Sequence, residues 1–290
     1  MDMEFESQNT VYCINEKYGL KIIKINNKFG VLNHENRILI PPVYSYIRFN
    51  IDGYILVSLN GKETLYTIYG KQLLPFKYDN ISISHHGLIR VSSNGKWGIL
   101  NRQFHVIVPT IYDHCIITDG FTTPILVKRN NKWGLVNRET GKLIVPTIYD
   151  RCITKDGFTT PILVKRNNKW GLVNSETGKL IAPTIYDNIG NTGVYDLFEF
   201  PDLPADDVRL KTPFFNCGLA SVEINGKWGF IDTKGEIKIP PVWDWVDDLG
   251  FYTGVATVHR WEKGFYKNKV FKIDTNGKIL CEIIELNANS

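Results

Sequence analysis

Apolar and polar positions along this chain fall into short blocks. Pro161-Ile162-Leu163-Val164-Lys165-Arg166 is an apolar, β-branched run, and Trp170-Gly171-Leu172-Val173 and Lys179-Leu180-Ile181-Ala182 are two more, parted by Asn167-Asn168 and by Thr177-Gly178. Blocks of this length bounded by Asn and Gly predict strands joined by tight turns. Asn167-Asn168, like Asn225-Gly226 further on, is a hairpin signal because both central residues of such a turn need positive φ. The third run is expected to end at Pro183, since proline cannot donate to a ladder. Residues 184–189 then read as a tight connection with a brief strand into the next block.

The same order of blocks recurs along the chain, which makes the repeat the first thing to establish. One anchor is Lys-Trp-Gly, at Trp97, Trp133, Trp170 and Trp228, with Phe29 in a softer copy. The second is a proline followed three residues later by an aromatic: Tyr44, Tyr78, Tyr112, Tyr149, Tyr186 and Trp243. The two stay in step, 12 or 13 residues apart. A decayed unit stands at Lys62-Glu63-Thr64, and a seventh is inferred near Val270 from Ile273-Asp274 and Asn276-Gly277. Residues 109–145 and 146–182 are near-copies, 37 positions with five differences, as a tandem duplication leaves them. An acid follows the aromatic at Asp79, Asp113, Asp150, Asp187 and Asp244. A catalytic acid is needed once per active site but a turn residue once per repeat, so these are expected to bond nearby turn amides. The aromatic before each is expected to pack between units.

This double-anchored pattern resembles the WG-repeat (KWG-repeat) proteins of bacteria, over roughly residues 20–280. Their units read as a strand, Asn-Gly-Lys-Trp-Gly, a short strand ending in Asp or Asn, a turn, and Pro-x-x-Tyr-Asp. The departures are Glu63-Thr64, the missing Trp-Gly in the seventh unit, and a long insertion after Tyr186. The resemblance implies a repeat scaffold of binding type, in some cases near secreted-toxin systems, and it supplies no catalytic residue. The expected fold is all-β, seven tandem hairpin units over residues 20–290, in a propeller-like closed ring in preference to an open curved solenoid. Residues 1–19 include Val11-Tyr12-Cys13-Ile14, a strand expected to complete the last unit and so close the ring.

Composition changes this picture little. Of 290 residues 43% are hydrophobic and 12% aromatic, as in a globular protein, and the net charge of +4 is too mild to call for nucleic acid. Lys128-Arg129 and Lys165-Arg166 form a basic stripe across the two near-copies, read first as a solvated edge. The acidic start, Met1 to Glu6, does not read as a secretory signal. No apolar run reaches the roughly 18 residues of a membrane span. The five cysteines are odd in number and widely spaced, which fits neither a disulfide framework nor a zinc site. The cytoplasm is the expected location.

Six histidines lack metal-ligand spacing, and no nucleophile elbow, phosphate loop or dinucleotide fingerprint occurs, so no catalytic residue, metal or cofactor is assigned and an enzyme is not expected. The irregular element is the insertion at 188–217, where aromatics alternate with acids. Between Asn188 and Pro213 five acids face two bases, a net charge of −3 against +7 for the remainder. A long loop inside a compact domain is uncommon unless it has a job, here either to bind a partner or to fold back over an exposed ring edge. Tyr195, Asp196, Phe198, Glu199, Phe200, Asp202, Asp206 and Asp207 are therefore the candidate partner-binding residues, with Asp244, Asp247 and Asp248 one repeat later extending the acidic surface. The leading expectation is a non-catalytic protein-binding scaffold, an immunity protein or adaptor that neutralises a basic toxin or effector domain. The alternatives are a carbohydrate- or small-ligand-binding module using Trp97, Trp133, Trp170 and Trp228, and a hydrolase hidden in a repeat fold.

Overall fold

In the computed structural model the described residues are 10–15, 18–50, 53–84, 87–117, 124–153, 161–190, 215–261 and 268–283. They form 27 strands in seven antiparallel sheets, six of four strands and one of three, each sheet following chain order. The chain divides into two compact units, Met1–Ile117 and Thr118–Ser290. No helix among the described residues is long and apolar enough to cross a membrane.

One sheet of the second unit shows how the blocks fold. Its strands are β16 (Arg151–Ile153), β17 (Ile162–Arg166), β18 (Lys169–Val173) and β19 (Leu180–Tyr186). Asn167 and Asn168 have φ of 51° and 63°, the paired left-handed geometry their turn demands. Across that turn Val164 faces Gly171 and Lys165 faces Trp170. The fourth strand departs from the expectation. It does not stop at Pro183 but runs on to Tyr186, pairing Leu172 with Ala182 and then Trp170 with Tyr186. Pro183, Thr184 and Ile185 thus lie opposite the single residue Gly171, a bulge that removes proline from the ladder without ending the strand. The bowed backbone lies over Gly171 so closely that a Cβ there would stand 2.7 Å from the Ala182 carbonyl oxygen. The glycine of the Trp-Gly pair is therefore the space in which the bulge sits.

The decayed unit supports this account. Thr64 occupies the glycine position in β7 (Lys62–Thr67), and its sheet has three strands, β5 (Tyr46–Phe49), β6 (Tyr54–Leu59) and β7, with no fourth among the described residues. Thr64 is buried, and its hydroxyl donates to the Leu74 carbonyl. Only isolated bridges remain where a strand would run, Glu63 with Tyr78 and Tyr66 with Gln72.

The N-terminal segment corrects another expectation. β1 (Thr10–Asn15) pairs with β2 (Leu20–Ile25), so it completes the first sheet, with β3 (Lys28–Leu32) and β4 (Ile38–Tyr44). The last sheet has four strands of its own, β24 (Trp245–Tyr252), β25 (Val255–Trp261), β26 (Asn268–Asp274) and β27 (Ile279–Ile283). The inferred seventh unit is thereby present.

Apolar clusters lie between consecutive sheets within each unit. In the first unit Val31, Ile40 and Tyr44 pack with Ile47, Ile55 and Val57. In the second, Trp170, Leu172 and Tyr186 pack with Ala220, Val222 and Ile231. The repeated aromatics Tyr44, Tyr78, Tyr112, Tyr149, Tyr186 and Trp243 are all buried, as a residue packed between units must be.

Candidate binding surface and the inter-repeat joint

The acid that follows every one of these aromatics but Tyr44 stands where one sheet hands the chain to the next. In the second unit the Asp150 amide donates to the Lys165 carbonyl at 2.7 Å, and the Asp187 amide to Glu223 at 2.9 Å. The side chain then acts in two directions. One oxygen accepts from the lysine of its own Lys-Trp-Gly: Lys132 for Asp150, Lys169 for Asp187, Lys227 for Asp244. The other accepts a backbone amide from the next repeat, Asn167 for Asp150 at 2.8 Å, Asn225 for Asp187 at 2.7 Å, Trp261 for Asp244 at 2.9 Å. In the first unit Asp79 does the same with Lys62 and Asn94, and Asp113 takes Lys96. The amide half of this joint was expected from the sequence. The lysine half was not, although its signal was present: each lysine precedes its acid by 17 or 18 residues.

These partners favour the ionised acid. Lys62, Lys132 and Lys169 hold the carboxyls of Asp79, Asp150 and Asp187 below the ordinary value of 3.8, with the turn amides adding to the effect. At Asp244 burial works against ionisation, but Lys227 and the Trp261 amide outweigh it.

The Trp-Gly tryptophans are also engaged by the scaffold. Trp170 and Trp228 are buried and Trp97 and Trp133 half-buried. A cation lies over several of these rings: Arg90 at 3.8 Å from the centroid of Trp97, Lys128 at 5.4 Å from Trp133, Lys165 at 5.1 Å from Trp170. Such pairs are cation–π contacts made within the protein. Phe29 is covered likewise by Lys24, at 5.3 Å. Cys115 is fully buried, and burial pushes its thiol up to about 12, as for a small apolar core residue. Among the described residues no three His, Cys, Asp or Glu side chains gather as metal ligands would.

Seven stretches, residues 29–62, 70–97, 97–133, 133–158, 170–197, 212–228 and 228–258, match the family described as WG containing repeat. The chain belongs to that family. Its WG repeats match no curated protein in sequence. Among solved structures, a eukaryotic initiation factor is similar at a TM-score of 0.35 and 11% identity, covering 96% of this chain and 77% of that one. The apo form of AztD from Citrobacter koseri reaches 0.34 and 12%, covering 91% and 80%, and Sqt1 of Saccharomyces cerevisiae 0.28 and 11%, covering 93% and 83%. Likeness at this level carries no conclusion for this WG-repeat chain.

Of the candidate partner-binding residues, Tyr195, Asp196, Phe198, Glu199, Phe200, Asp202, Asp206 and Asp207 lie outside the described residues. Asp244 belongs to the joint between WG repeats, its side chain only 13% exposed. Asp247 is half-exposed on β24 and meets His259 Nε2 of β25 at 2.7 Å. Asp248 lies in β24, with its side chain outside the description. Of the three, Asp247 is the carboxylate seen to face solvent. The sequence reading missed exposed aromatics on the same two strands, Trp245 and Tyr252 of β24 and Trp261 of β25.

Proposed function

We propose that this WG-repeat chain is a non-catalytic protein-binding scaffold, an immunity protein or adaptor that engages a basic toxin or effector domain in the cytoplasm. The observation that carries this reading is the engagement of the recurring carboxylates and tryptophans in joints between repeats. Asp79, Asp150, Asp187 and Asp244 each hold a lysine and a backbone amide, which supports a structural role for the acids that a repeated active site would otherwise use. Acids outside these joints include those of the period-breaking insertion and Asp247, which lies on a pair of strands that also carries exposed aromatics of the kind that dominate binding energy. A carbohydrate- or small-ligand-binding module would need the Trp-Gly rings, and the cations lying over Trp97, Trp133 and Trp170 weigh against it.

Affinity purification from the source cell with the wild-type chain is expected to retain a basic protein at low salt. The double substitution Asp206→Lys and Asp207→Lys should retain less of it, through slower association and without a change in melting temperature. Equal retention by both baits, or a drop in melting temperature in place of a drop in binding, would remove the insertion from the interface.

We also propose that the seven sheets close into a ring. The apolar layers between consecutive sheets within each unit support closure, because an open stack would leave the faces of its first and last sheets uncovered. X-ray scattering in solution should then give a radius of gyration near the roughly 19 Å of a compact chain of this length. An elongated particle would establish the open solenoid.

A further inference from the structure

The two near-identical repeats share a feature that most of the other hairpins lack. In the hairpin of each WG repeat the residue just before the turn pairs across the ladder with the lysine of Lys-Trp-Gly. That residue is Ile25, Leu59, Ser93 and Ile224 in the first, second, third and sixth sheets, opposite Lys28, Lys62, Lys96 and Lys227. In the twin repeats it is an arginine: Arg129 opposite Lys132 and Arg166 opposite Lys169. Like charges directly opposite in a ladder are unfavourable, and the other hairpins show that an apolar or small residue fits. The last sheet also has an arginine opposite a lysine, Arg260 and Lys269, but Arg260 lies over the Trp243 ring at 4.7 Å.

Arg129 and Arg166 are exposed, and among the described residues no carboxylate pairs with either. The neighbouring acids already have cations, Asp150 holding Lys132 and Asp187 holding Lys169. Asp150 fixes the spacing. It binds Lys132, the partner of Arg129, with one oxygen and the amide next to Arg166 with the other, so the two hairpin ends stand side by side.

We infer that Arg129 and Arg166 form a two-point docking site for an acidic polypeptide segment, each guanidinium taking one carboxylate. This surface differs in residues and in sign of charge from the acidic one proposed above, so either can fail alone. Packed sheets stand roughly 10 Å apart and an extended chain advances roughly 3.3 Å per residue, so carboxylates three residues apart match the two arginines. Guanidinium suits this role because its planar fork pairs with a carboxylate through two parallel hydrogen bonds. A polypeptide is favoured over single-stranded nucleic acid because the latter is held largely by bases stacked on open aromatic rings. Here the rings of these repeats, Trp133 and Trp170, lie beneath Lys128 and Lys165.

The test uses the full chain and a fluorescein-labelled twelve-residue peptide of repeating Glu-Gly-Ser, with a Gln-Gly-Ser peptide and oligothymidylate of equal length as competitors. At low salt the Glu peptide should bind at least about tenfold more tightly than the Gln peptide, an advantage that falls as salt rises. Arg129→Ser and Arg166→Ser, which install the residue found at Ser93, should each weaken the Glu peptide about tenfold, and together bring it to the Gln level. Both variants should melt no lower than the wild type, since each removes a like-charge pair. If the serine variants do not fold, Arg129→Gln and Arg166→Gln carry the same measurement. Equal binding of Glu and Gln peptides, or Glu binding unchanged in the double variant, overturns the site. Tighter binding of oligothymidylate than of the Glu peptide overturns the assignment of its partner.

Discussion

Replacing Trp170 with alanine is expected to cost roughly 3–5 kcal/mol of folding stability, the range for removing a buried large aromatic. Its surroundings set that size. Trp170 is buried, pairs across the ladder with Tyr186, and lies in the apolar layer formed by Leu172, Tyr186, Ala220 and Val222. Its other cross-strand neighbour, Lys165, would lose the ring beneath its ammonium group. Chemical denaturation of Trp170→Ala against wild type measures the difference. Trp133→Ala is the internal comparison: the sequence around it is nearly the same, but the ring is only half-buried, so its cost should be smaller. A Trp170→Ala chain of native stability that had lost affinity for a sugar would return the ring to ligand binding.

Acid should dismantle the joints between repeats together. The carboxyls of Asp79, Asp150 and Asp187 lie below 3.8 in the folded protein, chiefly because of their lysines. A carboxyl whose folded value is depressed binds fewer protons folded than unfolded. Its contribution is complete above the unfolded value and disappears as pH falls through the folded one. The melting temperature should therefore change little from pH 7 down to about 4.5 and fall steeply below about pH 4. Glu63 acts in the opposite sense. Burial raises its carboxyl above the ordinary 4.5, so its ionised form is disfavoured and protonation relieves a small penalty. Its single contribution opposes a row of depressed carboxyls, and the net slope is loss in acid. The variant Asp150→Asn with Asp187→Asn should melt lower than wild type at pH 7 and decline less between pH 4 and about 2.5. An identical acid decline in both proteins would place the sensitivity elsewhere.

Much of this fold was legible in the sequence because its signals are local. The Asn-Asn and Asn-Gly turns and the strands on either side of them follow from residue chemistry within a few positions, and the recurrence of an aspartate once per repeat marks it as a turn-bonding residue, although the amide it takes lies in the next repeat. What stayed hidden depends on partners far along the chain or across a ladder. Pro183 looks like a strand end until the facing residue is known to be Gly171, whose lack of a Cβ makes room for the bulge. Val11 to Ile14 read from sequence as a strand completing the last unit, and only the pairing with β2 assigns them to the first sheet. Lys128-Arg129 and Lys165-Arg166 read as one kind of basic edge. Register separates them, placing each lysine over a tryptophan and leaving each arginine outward opposite another lysine. The acidic insertion was visible from composition alone, whereas the exposure of Trp245, Tyr252 and Trp261 needed the register of β24 and β25.

The joint made by Asp150 and Asp187 asks very little of the repeat that comes next. It needs a main-chain amide at the start of a tight turn, which almost any residue supplies, and the lysine it also needs lies in its own repeat. A copied repeat therefore arrives already able to grip its successor and to be gripped by its predecessor, with no matched pair of side chains to be found afterwards. The near-identity of residues 109–145 and 146–182 is the mark that such a connector leaves on a chain: length can be gained by copying first and diversifying later.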